Sequence, residues 1–373
     1  MSEVRGARPD EAEPAVQLLT PEGERVEHPD YAFTGDDAMV RDFYAQMALV
    51  RRVDAEAIAL QRQGELGLWP SSLGQEGAQI GAAYAMRSQD YAFPTYREHG
   101  VTITRGIDPL RLLAMFRGVD TGSWDVLEHN TYMYSIIIGT QAVQATGYGM
   151  GLERDGLVGS GDPERDAAVV CFFGDGASSQ GDISEGLVFA ASYNAPVVFF
   201  CSNNQWAISE PSERQSRAPL YRRAAGFGFP GVRVDGNDAL AVHAVTTAAL
   251  ERARSGNGPT FIEAYTYRMG AHTTSDDPTK YRLADELEHW RARDPLSRVR
   301  TYLERSGAAD AAFFDAVDAD ADALATRLRR ECLTLPVPSL AQTFDWVYAE
   351  PSSELAEQLA RHQAYADSFE EAR

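Results

Sequence analysis

The sequence predicts an α/β protein: a doubly wound, mostly parallel sheet, preceded by an N-terminal arm and followed by a helical C-terminal tail. Two apolar segments, 167–173 and 196–201, are rich in β-branched and aromatic residues, which is typical of strands buried on both faces. A helical pattern over 183–193 lies between them. A strand, a helix and a strand in this order form a parallel pair with a right-handed crossover.

The remaining elements follow the same reasoning. Gly64 is suited to end the first predicted helix and Pro109 to begin the third. Strands and a helix are also expected after the first strand–helix–strand unit, at 231–235, 238–254 (the helix) and 260–267. Four helices are expected before that unit, at 36–63, 72–87, 108–117 and 139–152.

Composition changes along the chain indicate three regions. Residues 1–35 are rich in Pro, Glu and Asp and are predicted to form an extended arm. Residues 36–282 contain the predicted sheet and its helices, and residues 283–373 are mostly charged and helical. We find no internal repeat, so we predict one α/β domain with an arm and a helical C-terminal region.

The bulk composition excludes several classes of protein. The 373 residues include 34 Lys and Arg against 55 Asp and Glu, a net charge of −21, which is unsuited to binding nucleic acid or an anionic membrane. No segment is apolar for long enough to span a bilayer, and the N-terminus has no apolar signal region. Cys171, Cys201 and Cys332 are far apart, so we expect buried thiols in a cytoplasmic protein.

The segment GDGASSQGD begins directly after the strand 167–173 and places Asp175 between two glycines. A tight turn would explain Gly and Asp there. Gly174 and Gly176 would also let the backbone approach a phosphate at the following helix N-terminus. A dinucleotide-binding loop fits less well, since the spacing is not GxGxxG, and a P-loop would need a Lys that is absent.

A second polar segment, Asn203-Asn204, follows the strand 196–201. Because ligands of doubly wound sheets bind at the carboxyl ends of the strands, the site is expected in the loops that leave those ends. A carboxylate from Asp175 and an amide oxygen from Asn204 would suit a hard cation such as Mg²⁺. The loops concerned are 174–182, 202–209 and 268–281.

GDG, 26 further residues and NN together resemble the thiamin diphosphate motif. The segments TYREHG (95–100), IIIGTQAVQATG (136–147), RVDGND (233–238) and RMGAHTTSDDPTKYR (268–282) resemble the α subunit of the E1 component of 2-oxo acid dehydrogenase complexes. The resemblance extends over roughly residues 38–305. It implies the thiamin diphosphate-binding fold and a thiamin diphosphate-dependent oxidoreductase.

The family's site residues can be placed on this sequence one by one. The resemblance implies Asp175, Asn204 and the main-chain carbonyl of Trp206 as Mg²⁺ ligands. His272 matches the family's active-site histidine, and we expect it to transfer protons because an imidazole titrates near neutral pH. The residues implied to contact the cofactor are Tyr96, Arg97, Ile136, Ile138, Gly174, Gly176, Ala177, Asn204 and His272.

Other matched positions are variable within the family. Ser135, Thr140 and Gln141 match a loop that binds a monovalent cation such as K⁺ in some members. Ser202 stands where some members have an Arg on the diphosphate, and Thr273 stands where animal members have a regulatory serine. His99 and Trp69 are each open to two interpretations, as residues of the site or of the core.

The resemblance also implies partners and a substrate class. The activating glutamate of the family lies on a separate E1 β subunit, so we expect an α2β2 heterotetramer that passes its acyl group to the lipoyl domain of E2. The segments FFCSNNQWAIS and LARHQAYADSF are nearer to branched-chain members, whereas IIIGTQ is nearer to pyruvate members. We predict a branched-chain 2-oxo acid as the substrate, with pyruvate or acetoin as alternative substrates. The alternative functions are a non-catalytic module and a nicotinamide-binding domain.

Overall fold

A five-stranded parallel sheet lies at the centre of the protein in a computed structural model that describes residues 13–120, 124–345 and 347–370. The strands in the order β1, β2, β3, β7, β6 form this sheet, and β4 and β5 form a separate antiparallel pair. In chain order the strands are β1 (Tyr91–Phe93), β2 (Val169–Gly174), β3 (Val197–Asn203), β4 (Trp206–Ala207), β5 (Glu210–Pro211), β6 (Gly231–Asp235) and β7 (Thr260–Tyr265).

Helices cover both faces of the sheet. They are α1 (Asp37–Arg62), α2 (Glu76–Ala85), α3 (His99–Thr104), α4 (Pro109–Arg117), α5 (Gln141–Arg154), α6 (Gly181–Ser192), α7 (Ser212–Gln215), α8 (Arg223–Phe227), α9 (Ala239–Arg254), α10 (Ala284–Arg291), α11 (Pro295–Ser306), α12 (Ala311–Leu333), α13 (Gln342–Asp345) and α14 (Ser353–Glu370).

The alternation of side chains along the strands creates two separate cores. Val170 and Phe172 pack with α1, α2 and α9, whereas Cys171 and Phe173 pack on the other face with α5 and α6. All these strand residues are fully buried, which explains why β2 is a continuous apolar run. The predicted doubly wound arrangement is thus confirmed.

The strand β1 was not predicted. It has three residues, too few for a periodic pattern, and it forms because Tyr91, Ala92 and Phe93 pair in parallel with Val169, Val170 and Cys171 of β2. The short helix α3 was also missed. Predicted helices 72–87 and 139–152 are shifted at their starts, to Glu76 and Gln141, because the preceding residues form turns at the site.

The described part of the arm, residues 13–35, lies against the α/β domain, and it folds back in a turn that pairs Leu19 with Arg25. Val16 pairs with Val234, and the buried carboxylate of Asp238 accepts hydrogen bonds from the N–H groups of Leu18 and Leu19. At the other end of the chain, α12 packs along α1, and Arg329 forms an ion pair with Glu56. Residues 1–12 of the predicted arm lie outside the described residues.

Two predictions from composition can be compared with the structure. Cys171, Cys201 and Cys332 are free and buried, as expected. Within the described ranges, none of the helices combines the length and the apolar character needed to cross a bilayer.

Candidate active site

The carboxyl ends of β2, β3 and β7 open into a cavity of about 390 Å³. Parallel pairing places Gly174 next to Ser202, and Asn203 next to Tyr265, so the loops that follow these residues start side by side. The cavity is lined by residues from the three loops named from the sequence, and by the segments around Arg97 and Ile136.

Asp175 lines this cavity and begins a 3₁₀ helix that ends at Ser179. Its side chain is buried, and its Oδ2 atom has no hydrogen-bond partner. Burial raises the pKa of Asp175 to about 6, although the Arg268 guanidinium opposes the shift. A buried carboxylate oxygen without a partner is costly unless a cation compensates it, so Asp175 fits a metal ligand.

Asn204 and Trp206 follow β3 and line the same cavity as Asp175. The Oδ1 atom of Asn204 accepts a hydrogen bond of 3.3 Å from the Trp206 N–H, and Gln205 between them has a φ of 69°. The main-chain carbonyl of Trp206 accepts from Arg268 Nη1 at 2.8 Å. One carboxylate, one amide oxygen and one main-chain carbonyl are ligands of the chemistry that Mg²⁺ accepts.

This oxygen set differs from a metal site made of several acidic, His or Cys side chains. In residues 13–120, 124–345 and 347–370 there is no group of three or more such side chains placed to hold a metal ion. The candidate ligands therefore depend on a neutral amide and a backbone atom, and on Asp175 for charge.

Two guanidinium groups surround His272 in the loop after β7. Its Nδ1 atom lies 3.1 Å from Arg97 Nη2 and 3.4 Å from Arg268 Nη1, and its carbonyl oxygen accepts from Arg97 at 2.9 Å. Since guanidinium groups only donate, Nδ1 accepts and the proton of the neutral ring lies on Nε2.

The pKa of His272 differs from the expectation that it titrates near neutral pH. Partial burial and the positive charges of Arg97 and Arg268 lower the pKa of His272 to about 3. The expectation was wrong because tertiary contacts place two arginines beside the ring. The imidazole is neutral over the physiological range and presents an Nε2–H donor.

The loop that carries His272 is held by its own hydrogen bonds. Asp276 accepts from the His272 N–H at 2.8 Å and from the Tyr281 hydroxyl, and Arg282 donates to the carbonyl oxygen of Arg268. Although burial acts in the opposite direction, the hydrogen bonds from Tyr281 and His272 keep the pKa of Asp276 below its ordinary value. The loop is therefore fixed at both ends.

The other residues expected to contact the cofactor also line the cavity: Tyr96, Ile136, Ile138, Gly174, Gly176 and Ala177. At Gly176 a Cβ atom would lie 2.7 Å from the Cβ of Ala207, so the turn has no room for a side chain. Ile136 is 58% exposed, so the cavity opens to solvent on this side. Ser202 also lines the cavity, and its buried Oγ has no hydrogen-bond partner.

The residues of the possible K⁺ site lie together beside the cavity. Ser135 Oγ is 3.2 Å from Thr140 Oγ1, which in turn donates to the Ile137 carbonyl. Gln141 donates to the Phe172 carbonyl at 2.9 Å, and its buried Oε1 has no partner. The free Oε1 of Gln141, close to hydroxyl and carbonyl oxygens, is compatible with a bound monovalent cation. Thr140 does not itself line the cavity.

The structure decides between the two interpretations of His99 and Trp69. Both are buried, their rings stack with centroids 4.3 Å apart, and neither lines the cavity. His99 is hydrogen-bonded to the Tyr134 hydroxyl and to the Pro70 carbonyl, each at 2.9 Å. Burial lowers the pKa of His99 to about 3. These two residues belong to the core behind the site.

The cavity residues that sequence reasoning missed include Gln75 and Arg268. Arg268 lies shortly after the end of β7 at Tyr265, so its position near the carboxyl end of a strand was a usable signal. It is buried beside Arg97, and burial together with that neighbouring charge lowers the pKa of Arg268 to about 10. Gln75 precedes α2 and no strand leads to it, so the sequence carried no signal for it.

Comparisons with known proteins identify the family of the chain. The Dehydrogenase E1 component family matches residues 44–326. The chain is 43% identical over 336 residues to the 3-methyl-2-oxobutanoate dehydrogenase subunit alpha of Mycobacterium tuberculosis (strain ATCC 25618 / H37Rv), covering 90% of this chain and 89% of that protein. It is 40% identical over 294 residues to the pyruvate dehydrogenase E1 component subunit alpha of Staphylococcus aureus (strain Mu50 / ATCC 700699), covering 78% and 77%.

The chain therefore belongs to the dehydrogenase E1 component family. It is an α subunit of a 2-oxo acid dehydrogenase E1, an oxidoreductase, as the resemblance of its motifs predicted. Membership implies thiamin diphosphate as the cofactor.

Proposed function

We propose that the chain acts in the oxidative decarboxylation of a branched-chain 2-oxo acid of the 3-methyl-2-oxobutanoate type and in transfer of the acyl group to the lipoyl group of E2. The substrate assignment is supported by the 43% identity over 90% of the chain to a 3-methyl-2-oxobutanoate dehydrogenase subunit. The observation that carries the chemistry is the buried, unpartnered Oδ2 of Asp175 in a cavity that also holds Arg97 and His272.

The residues of the cavity fit the cofactor and its metal. Asp175, Asn204 and the Trp206 carbonyl would hold Mg²⁺, and Tyr96, Arg97 and the backbone at Gly176 and Ala177 would hold the diphosphate. When bound, thiamin diphosphate would supply the carbon nucleophile for decarboxylation and would act as the electron sink. Ser135, Thr140 and Gln141 would hold a monovalent cation such as K⁺.

His272 is proposed to donate a hydrogen bond from its Nε2 atom. Arg97 and Arg268 donate hydrogen bonds to Nδ1, so they fix the tautomer and the orientation of the ring. A neutral imidazole with an Nε2–H can donate to an oxygen of a substrate or of the lipoyl thioester during acyl transfer. A preorganised hydrogen-bond donor aimed at developing negative charge contributes roughly 10²–10³-fold to a rate.

Partners complete this assignment. We infer an E1 β subunit in an α2β2 heterotetramer, and the lipoyl domain of E2 as the acyl acceptor. Ile136, Ile138 and Ile208 form an apolar rim on the open side of the cavity, which supports a partner surface there. A cytoplasmic location is part of the same proposal.

Pyruvate is the second candidate substrate, because the chain is 40% identical to a pyruvate dehydrogenase subunit. The experiment is to co-express the chain with its β subunit and to measure kcat/KM for 3-methyl-2-oxobutanoate and for pyruvate with an artificial electron acceptor. We expect a clear preference for the branched acid. A preference for pyruvate would overturn the substrate assignment, and no activity with either acid would overturn the proposed function.

A further inference from the structure

Gln75 occupies a rigid position next to the candidate metal ligand Asn204. It follows Gly74, whose φ is 93° and where an added Cβ would lie 2.4 Å from the carbonyl oxygen of Tyr267. The Gly74 N–H donates to Glu76 at 2.9 Å, and the Gly74 carbonyl accepts from Thr266 at 2.9 Å. The backbone that carries Gln75 is therefore tied to the end of β7.

The two ends of the Gln75 amide have different environments. Its Oε1 atom accepts a hydrogen bond of 3.1 Å from Asn204 Nδ2, and both side chains are buried. Its Nε2 atom is buried, has no hydrogen-bond partner, and belongs to a residue that lines the cavity. A buried donor without a partner is costly, which points to a ligand that accepts from it.

The orientation of these two amides follows from one backbone contact. The Trp206 N–H donates to Asn204 Oδ1, so the other end of that amide must be Nδ2. Nδ2 needs an acceptor, and Gln75 supplies one only if its Oε1 faces Asn204. A rotated Gln75 would place two donors against each other. Its Nε2 must then face away from Asn204.

We propose that Gln75 is a positioning and binding residue of the cofactor site, an inference that rests on the proposed function. Its Oε1 holds the Asn204 amide so that Oδ1 stays available to the metal. Its Nε2 donates a hydrogen bond to a diphosphate oxygen. One side chain therefore couples the orientation of a metal ligand to the binding of the anion that the metal neutralises.

Two substitutions separate these tasks. Gln75→Glu keeps an acceptor for Asn204 Nδ2 but replaces the donor by a negative charge. Gln75→Met keeps the approximate size and removes both the acceptor and the donor. Gln144→Met, at an exposed position of α5, makes a matched control for the introduction of methionine.

The experiment uses the co-expressed complex with the β subunit. Titration of thiamin diphosphate at saturating Mg²⁺, and of Mg²⁺ at saturating thiamin diphosphate, is followed by tryptophan fluorescence and by the melting temperature. For Gln75→Met we expect both half-saturation concentrations to rise by about 10–100-fold, the usual effect of losing a residue that orients a metal ligand. For Gln75→Glu we expect such a rise for thiamin diphosphate and a much smaller change for Mg²⁺.

Several results would overturn the inference. Unchanged titrations in Gln75→Met would show that the side chain only packs. Equal losses of both affinities in the two variants would show that its two ends have no separate tasks. If the wild-type complex did not bind thiamin diphosphate in an Mg²⁺-dependent way, the proposed function itself would fail. The melting temperature without ligands, compared with Gln144→Met, separates a loss of folding from a loss of binding.

Discussion

At the scale of single residues, the site brings together charged groups that a metal and an anion would compensate. Arg97 and Arg268 lie together beside a neutral His272, while Asp175 carries an unpartnered oxygen nearby. Such an arrangement is unfavourable for an empty protein and suited to a metal and an anion. This contrast makes the roles of individual side chains testable.

His272 is expected to act in acyl transfer more than in cofactor binding. In His272→Ala, the rate of lipoyl acylation should fall by roughly 10²–10³-fold, the range for loss of a preorganised hydrogen-bond donor. Decarboxylation with an artificial electron acceptor should fall less, and thiamin diphosphate affinity should change little. The exposed His362→Ala is the control. Equal losses in both assays together with lost cofactor affinity would make His272 a structural residue.

Asp175 is expected to matter for the metal and not for folding. Burial raises the pKa of Asp175 to about 6, so its charged form is unfavourable in the empty protein. Asp175→Asn keeps the shape without the charge. Its melting temperature without ligands should not fall, and the increase caused by Mg²⁺ with thiamin diphosphate should disappear. A retained Mg²⁺-dependent increase in differential scanning fluorimetry would contradict this role.

The sequence predicted residues of the site where a strand ends in a recognisable motif. Asp175 and Asn204 follow β2 and β3 directly, and His272 lies in the loop after β7, so topology alone brings them to one edge. Gln75 comes from a turn before a helix, and only its pairing with Asn204 reveals it. The low pKa of His272 depends on two arginines distant from each other in sequence, which no local pattern contains.

At the scale of secondary structure, the long elements were predictable and the short ones were not. β2 and β3 have six and seven residues, and the apolar run that each contains predicts its burial. β1 has three residues and exists because β2 provides hydrogen-bond partners. The turn at Gly74 also depends on tertiary contacts, since it fits against the Tyr267 carbonyl.

Gly74→Ala is expected to be strongly destabilising. The added methyl group would meet a backbone oxygen at 2.4 Å, in addition to the strain of a φ of 93°. Gly64→Ala is the control, because Gly64 has a φ of 83° with nothing within 4 Å. Left-handed backbone alone costs an alanine about 1–2 kcal/mol. We expect Gly64→Ala to lose that amount and Gly74→Ala clearly more in urea unfolding, whereas equal losses would refute the steric argument.

At the scale of the whole molecule, stability and association follow from what is buried and what is exposed. His243 lies in the core between the ring of Phe33 in the arm and that of Phe43 in α1. Burial lowers the pKa of His243 to about 4, and its Nδ1 has no hydrogen-bond partner. The sequence composition could not predict the burial of His243, because that burial depends on the packing of the arm against α1 and α9.

His243 should make the fold sensitive to acid. Its pKa is lower in the folded state than in the unfolded chain, so the unfolded chain binds the proton more readily and stability falls as the pH drops below about 6.5. Acidification from pH 7 to pH 5 should cost the wild type about 2 kcal/mol more than His243→Phe, in which this titration is absent. Urea unfolding at both pH values measures it, and equal losses would exclude His243.

Association with the β subunit should depend on the isoleucines at the mouth of the cavity. Ile137 is 73% exposed and lies between Ile136 and Ile138, which line the cavity. Such an apolar rim is typical of a surface that a partner covers. Burying one isoleucine contributes about 1.5–3 kcal/mol, so Ile137→Ser should raise the dissociation constant of the co-expressed complex about tenfold or more.

The matched control is Leu127→Ser, since Leu127 is 72% exposed and does not line the cavity. Its dissociation constant, measured by analytical ultracentrifugation on dilution of the complex, should stay close to that of the wild type. Both variants replace an exposed apolar side chain by serine, so a general effect of that replacement would change both dissociation constants equally. A larger loss in Leu127→Ser than in Ile137→Ser would place the partner on another face of the chain.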